Sequence, residues 1–322
     1  MLTSGSTCER YSQKFDAPCL MCASGQMFEN VNTIQMAIET QKAVALHYGN
    51  VHILSRHERE HSPTAGLRTF HNWIKAALLQ LYAKRGTTAL DICCGKGGDL
   101  HKWKATGVAG VYMVDIAEGA INEAKHRNSQ MRGPACWFHV ADCFREDLDA
   151  VFPPMLVGIV SCQFSLHYAF DCAVSLRGFL SNVIARMKPG AVFVATFIDG
   201  DVVKKHHSTG VRNSVFSLEV EPRVARSGGF GRLCKFTLDG SVDAVPEYLV
   251  SRKDLCDVAG EFDLHCIQWV SFAQLDSELV NMPEMAQVRH RMHVDESPMS
   301  PDERVVSSLY VAAAFCYMPM VD

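Results

Sequence analysis

Residues 88–99 read Thr-Ala-Leu-Asp-Ile-Cys-Cys-Gly-Lys-Gly-Gly-Asp. The apolar run Thr88 to Cys93 passes into a turn of small residues and then into a helix beginning near Asp99. Such a turn brings backbone N–H groups close to a ligand where a strand hands over to a helix. The GxxxxGK[ST] spacing of a Walker loop is missing, with its magnesium-binding hydroxyl. So is the full GxGxxG of a pyrophosphate-binding dinucleotide fold.

Downstream of the turn, short apolar runs alternate with helical runs. Strands are expected over Gly110 to Asp115, Ala135 to Val140, Val157 to Phe164 and Ala191 to Phe197. Helices are expected from about Asp99, from about Glu118 and over Asp171 to Met187, the last stopped by Lys188-Pro189-Gly190. This alternation predicts a doubly wound α/β sheet. Arg232 to Leu238, Leu264 to Val270 and Ser308 to Tyr317 read as later strands. The polar, Pro-punctuated stretch Pro283 to Pro301 reads as a mobile loop. Upstream, Leu67 to Ala83 predicts an amphipathic helix after the punctuation of Pro63 and Gly66, and a helix is expected from Thr33. Residues 1 to 30 lack a sustained period and read as a poorly ordered arm.

The acids at the strand ends narrow the ligand. Asp115 follows the turn by about twenty residues, the spacing that puts a carboxylate beside a ribose. Asp142, after Phe138-His139-Val140-Ala141, is placed to accept from the exocyclic amine of an adenine. Either acid alone could instead cap the next helix. A sugar and an adenine without a pyrophosphate loop describe S-adenosylmethionine, and therefore a class I methyltransferase.

Composition sets limits. The 322 residues are 48% hydrophobic and 20% charged, with a formal net charge of -4. A chain with this balance does not coat nucleic acid, so any phosphate contact must be local. No stretch has the uninterrupted apolar length of a membrane span. Thirteen scattered cysteines and the lack of a secretory signal suggest a reducing intracellular compartment. Cys19 and Cys22 form a CxxC without a second pair, which reads as free thiols rather than a zinc site. Lys204-Lys205-His206-His207 reads as exposed surface rather than an RNA patch.

Taken together, DICCGKGGDLHKWK (91–104), VDIA (114–117), Ala141-Asp142 and SCQFSLHY (161–168) resemble the messenger RNA cap guanine-N7 methyltransferase family. The similarity runs from about Val44 to Tyr317. It includes VALHY (44–48), LRTFHNWIK (67–75), VPEYLV (245–250) and Leu309-Tyr310-Val311. It implies a Rossmann-like class I fold with a seven-stranded, mostly parallel sheet. After the arm of residues 1–30, a single domain would span 31–322, with leading helices over 31–85, the cofactor core over 86–200, and late strands and cap-contact segments over 201–322. For S-adenosylmethionine, the resemblance implies Lys75 at the methionine carboxylate, backbone contacts from Cys93 and Gly95, Asp115 at the ribose, Asp142 at the adenine, and Gln163 with Tyr168 beside the sulfonium. For the cap, it implies His71 and Asn72 near the guanosine and Lys96, Lys102 and Arg127 around the triphosphate. Phe164 and His167 would lie on the guanine, with Glu247 at its Watson–Crick edge and Tyr310 closing the pocket.

Two departures from the family pattern stand out. Cys93 occupies a position where the family usually has glycine, which requires negative φ if the side chain is to be accepted without strain. His71 stands where the family usually has asparagine. Each pick also has a structural reading: Lys96, Lys102 and Arg127 as solvated helix faces, His167 and Tyr310 as core residues, and Glu247 as a turn cap.

The implied chemistry is in-line transfer of a methyl group to N7 of a GpppN cap. No acid, base or metal is expected, because that nitrogen already carries a free lone pair and the enzyme can work by positioning. A silent cap-binding or activator subunit is the competing reading. A small-molecule or protein methyltransferase is another, but it would have no need for Lys96, Lys102, Arg127 and Glu247 together. The expected partner is 5′-capped RNA, with possible association with guanylyltransferase and triphosphatase activities. The chain is expected to be a monomer located in the nucleus, with the cytoplasm left open.

Overall fold

The structure is a computed structural model that describes residues 57–58, 61–221, 229–239 and 242–320, all within the compact unit His47–Asp322. The arm, Cys19, Cys22, the helix expected from Thr33 and the VALHY segment lie outside the described residues.

In chain order the elements are α1 (Ala65–Tyr82), β1 (Thr88–Ile92), α2 (Leu100–Thr106), β2 (Gly110–Asp115), α3 (Glu118–Ser129), β3 (Ala135–Val140), β4 (Val157–Gln163), α4 (Ala173–Ile184) and β5 (Met187–Ile198). There follow α5 (Gly200–His206), β6 (Val211–Arg212), β7 (Phe216–Val220), β8 (Leu233–Leu238), β9 (Val242–Tyr248), α6 (Arg252–Gly260), β10 (Leu264–Ser271), α7 (Phe272–Leu279), α8 (Pro283–Arg291), α9 (Pro301–Ser308) and β11 (Tyr310–Tyr317). A seven-stranded sheet has the order β10-β11-β5-β4-β1-β2-β3. Strands β1 to β5 pair in parallel, and β11 runs antiparallel to both β5 and β10. The expected doubly wound α/β sheet is therefore present. Its inner strands are buried along nearly their whole length, as a sheet covered on both faces requires.

A second, four-stranded sheet, β6-β7-β8-β9, is antiparallel throughout. Arg232 to Leu238, expected as a later strand, belongs to it. This sheet is tied to the first by the bridge Asp199↔Val250 just beyond the end of β5, reinforced by Gly200 N donating to Val250 O at 2.9 Å.

Three local expectations need correction. The stretch Pro283 to Pro301 is not a loop but carries α8 and the start of α9. Pro283 starts α8, Glu284 lies in its first turn and Arg289, His290 and Arg291 in its last, which complements the helix dipole at both ends. Ser300 and Glu303 form a capping box for α9. The helix expected to reach Met187 ends at Ile184. Lys188-Pro189-Gly190 instead lies inside β5, where the register with β4 shifts between Val157↔Met187 and Ile159↔Val192, and Gly190 takes φ 76°. Gly66, read as punctuation, lies within α1, where the lack of a side chain admits Pro298, whose O would lie 2.8 Å from a Cβ. Leu67 N in the same turn donates to the buried Glu303 Oε1 at 2.8 Å, fastening α1 to α9.

Candidate active site

The carboxyl edge of the parallel strands collects the expected cofactor residues. Beyond β1, Cys93, Gly95 and Gly97 have φ of 57°, 52° and 71°, so the turn is built from left-handed steps, and it is closed internally by Cys94 N donating to Val114 O at 3.0 Å and Gly97 N to Cys94 O at 3.1 Å. A Cβ placed on Gly95 or Gly98 would meet nothing within 4 Å, which leaves open space beside the turn. Cys93 departs from the expectation of negative φ. A side chain in this region costs about 1–2 kcal/mol, and here the thiol sits among those of Cys143 and Cys162.

At the end of β2, Asp115 Oδ2 accepts from Gly95 N at 2.8 Å and Oδ1 from Ala117 N at 2.9 Å. The carboxylate is thereby locked to the turn. Burial raises its pKa and these two N–H bonds oppose the rise. After β3, Asp142 Oδ1 accepts from Phe144 N at 3.0 Å, and burial likewise raises its pKa. Arg145 bonds Asp171 at 2.9 Å and lies 3.8 Å from Asp142. Both acids thus accept from the backbone N–H two residues on; α3 has Ala117 as its N-cap and no side-chain cap bond, so Asp115 does not cap it, and both acids stand at the sheet edge. Gln163, at the end of β4, is clamped: Nε2 donates to Ser161 Oγ and Oε1 accepts from Thr196 Oγ1, both at 2.9 Å. The next residue, Phe164, has φ 58° and its N–H donates to Thr196 O at 2.8 Å. Tyr168 lies in the short 3-10 helix that follows, in edge contact with Phe144.

Lys75 does not stand alone. Its ammonium pairs with Asp99 at 2.9 Å, and Lys102 meets the same carboxylate at 2.7 Å. Lys102 also donates to Asn72 Oδ1 at 2.9 Å and Gly98 O at 3.1 Å. Asp99 therefore joins a residue expected at the cofactor to two expected at the cap. Burial alone would raise its pKa, but Lys102 and Lys75 outweigh burial and hold it well below the carboxylate range. Nearby Asp91, buried and facing Asp99, is pushed up to about 7 and accepts from Trp103 Nε1 at 2.9 Å. Asp99 is a functional candidate that motif reading left out, although its i, i+3 spacing to Lys102 was readable.

The cap residues form an aromatic chamber. His71 stacks on Phe164 at 5.5 Å and makes edge contacts of 4.9 Å with both Tyr310 and Phe272. Its Nε2 lies 3.2 Å from Ser307 Oγ. Burial, and then Lys75, lower its pKa to about 3, so it is a neutral wall. Lys75 lies 5.6 Å over the Phe164 ring. His167, in the 3-10 helix after β4, and Glu247, on β9 of the small sheet, meet, Nε2 to Oε1, at 3.8 Å. Burial drives the two in opposite directions, His167 down to about 3 and Glu247 up to about 8. Among the described residues, His167 Nε2 is buried without a hydrogen-bond partner. A polar atom so placed is open to a hydrogen bond from a water or a ligand.

Lys96 and Arg127 also approach one another. Arg127 pairs with Glu123 at 2.7 Å, and burial, then Arg127, lower the Lys96 pKa. They form the accessible basic pair, whereas Lys102 is largely enclosed. Among the described residues, no group of three or more His, Cys, Asp or Glu side chains could hold a metal ion. Nor is any helix long and apolar enough to cross a membrane.

Residues 31–318 match the mRNA (guanine-N(7))-methyltransferase domain. The chain belongs to this family. An mRNA cap guanine-N(7) methyltransferase 1 from Oryza sativa is 35% identical over 295 residues, covering 84% of this chain and 80% of that protein. The mRNA cap guanine-N(7) methyltransferase of Schizosaccharomyces pombe is 32% identical, with 85% and 82% covered. The enzyme of that name from a Cryptococcus neoformans strain is 31% identical over 84% of this chain and 41% of its own length. The protein is thus an mRNA cap guanine-N7 methyltransferase, and its α/β sheet is that of a class I methyltransferase.

Proposed function

We propose that the turn after β1, with Asp115 and Asp142, holds S-adenosylmethionine, and that the chamber of His71, Phe164, His167, Glu247 and Tyr310 holds the guanine of a GpppN cap. The open space beside Gly95 leaves the turn free to be approached by a cofactor. When bound, that cofactor supplies a methyl group on a sulfonium. The chain's own residues bind and align. Asp115 accepts from ribose hydroxyls, Asp142 faces the adenine edge, and Lys75 offers charge to the methionine carboxylate. Gln163, already clamped by Ser161 and Thr196, serves with Tyr168 as a fixed wall.

On the cap side, Glu247 accepts from the ring N–H and exocyclic amine of guanine, and His167 Nε2 gains the partner it lacks. As positive charge develops on the ring, the Glu247 carboxylate binds it more strongly than the ground state, which is the condition for catalysis. The neutral His71 and the aromatic rings exclude water and oppose no cationic product. Lys96 and Arg127 meet the triphosphate, while Lys102 orients Asn72 and Asp99. The RNA body contributes little, because so few cations give a shallow salt dependence.

The GpppN end is built by triphosphatase and guanylyltransferase activities, which are therefore the expected associates, and the nucleus is the expected location. The observation that carries this reading is the buried His167–Glu247 pair, in which His167 Nε2 has no hydrogen-bond partner among the described residues, at the same sheet edge as Asp115. The test is transfer of labelled methyl from S-adenosylmethionine to GpppG and capped RNA, compared with GTP and a protein extract. Label confined to the capped acceptors is expected. No label in any guanosine acceptor would leave a silent cap-binding subunit as the answer.

A further inference from the structure

Among the ten free cysteines of the described residues, Cys266 is the exposed one. Burial pushes thiols such as Cys94 and Cys234 well above the ordinary value, which keeps them protonated and inert. Cys266 is different. It lies on β10, the outer strand of the seven-stranded sheet, where the pairing with β11 slips between Cys266 and Gln268. Cys256, on the adjoining α6, interacts with the Cys266 thiol, which itself donates to Gln268 O at 3.5 Å. Arg252, one turn earlier on α6, sits beside both sulfurs, with its guanidinium 5.4 Å over the Trp269 ring. From α1, the Tyr82 hydroxyl donates to Gln268 Oε1 at 3.1 Å and so stands near the pair as a neutral group.

We propose that Cys256 and Cys266 form an accessible dithiol that exchanges with low-molecular-weight disulfides such as glutathione disulfide, closing an intramolecular bridge between α6 and β10. The Cys266 thiolate attacks one sulfur of the external disulfide, forming a mixed disulfide and releasing one thiolate. The Cys256 sulfur then gives up its proton, attacks Cys266 and expels the second thiolate. Two protein thiols are oxidised by two electrons and one external disulfide is reduced to two thiols. Cys266 is suited to the first step because the Cys256 hydrogen bond and Arg252 outweigh burial and bring its pKa down to about 7. An attacking thiol works best when its pKa is near the ambient pH. Cys256, pushed up by donating that bond, is the resolving partner. The bridge would pin the helix that leads out of the Glu247 strand to the sheet edge.

The full chain is equilibrated in glutathione redox buffers, quenched with acid and digested. Cys256 and Cys266 share the tryptic peptide Asp254–Arg289. In the oxidised sample this peptide is expected to be two hydrogens lighter and to stay joined after cleavage at Glu261. In Cys256→Ala, Cys266 is expected to stop at the mixed disulfide. Its alkylation by iodoacetamide at pH 7 should also slow by about tenfold as the thiolate fraction falls. A wild-type protein that stops at the mixed disulfide, or alkylation unaffected by Cys256→Ala, overturns the proposal.

Discussion

Replacing Glu247 with glutamine should stabilise the folded protein while disabling it. Burial moves the Glu247 carboxyl from its ordinary value of 4.5 up to about 8, so near pH 7 it is neutral when folded and ionised when unfolded. Folding therefore takes up a proton, and this group's contribution to stability falls as pH rises from about 4.5 to about 8. Below that window both states are neutral, and above it both are ionised. At about 1.4 kcal/mol per pH unit, the interval from 4.5 to 7 costs the wild type roughly 3 kcal/mol. A carboxamide has no such cost. The groups facing Glu247 do not titrate in the window: burial holds His167 down to about 3, and burial together with Glu247 itself holds the Cys234 thiol well above its ordinary value. Urea unfolding of both proteins at pH 5, 6, 7 and 8 is the assay. The stability gap should widen by about 1 kcal/mol per unit and level off above pH 8, while methyl transfer by the variant falls by about a hundredfold or more. Guanine donors favour the ionised carboxylate, so cap-analogue binding to the wild type should release a proton and tighten as pH rises toward 8. A stability gap that does not change with pH, or a variant less stable than the wild type at pH 7, would refute the assignment of a buried, raised carboxyl.

Asp99→Asn should strand two enclosed ammonium groups, since Lys75 and Lys102 share that carboxylate at 2.9 and 2.7 Å. A loss of about 3–5 kcal/mol in denaturant unfolding is expected, with weaker binding of both cofactor and cap in separate titrations. An effect on one ligand alone would separate the two pockets. Asp115→Ala should abolish cofactor binding by calorimetry and Glu247→Ala should spare it; equal loss in both would contradict their assignment to different ligands. At Cys93, where φ is 57°, Cys93→Gly should be more stable than Cys93→Ala by about 1 kcal/mol in thermal unfolding. The reverse order would mean that thiol packing, not backbone strain, governs the position.

The parallel core was legible because each of its strands announces itself twice, by an apolar run and by the residue that ends it. Asp115 and Asp142 sit where those runs stop, and the structure keeps both there. The small sheet was harder, although Phe216-Ser217-Leu218-Glu219-Val220 does alternate, with Phe216 and Leu218 buried. Its two-residue partner β6 has too few residues to carry a period. The error over Pro283 to Pro301 came from reading proline as a breaker, when Pro283 and Pro301 each occupy a first helical turn, where proline fits. Left-handed φ at Cys93 was not legible at all, because a β-carbon argues against it and only the surrounding turn imposes it. The Asp99 hub needed space rather than sequence: Lys75 lies 24 residues away.

The strand order explains how two pockets can share one edge. Ligands of a parallel sheet gather beyond the carboxyl ends of its strands, which accounts for Gly95, Asp115, Asp142 and Gln163 but not for Tyr310 or Glu247. Tyr310 begins a strand, yet β11 is antiparallel to β5 and pairs Tyr310 with Ile198, the last residue of β5. Reversal thus brings its amino end to the carboxyl edge. Glu247 reaches the same edge because the small sheet is bridged to the first residue beyond β5, Asp199↔Val250, three residues from Glu247. The same Asp199 accepts from Trp269 at 3.0 Å, and its N–H donates to Leu309 O at 2.8 Å, immediately before Tyr310. One residue therefore fixes the strand that carries Glu247 and the strand that carries Tyr310. The relative position of these two cap residues depends on that junction more than on either sheet alone.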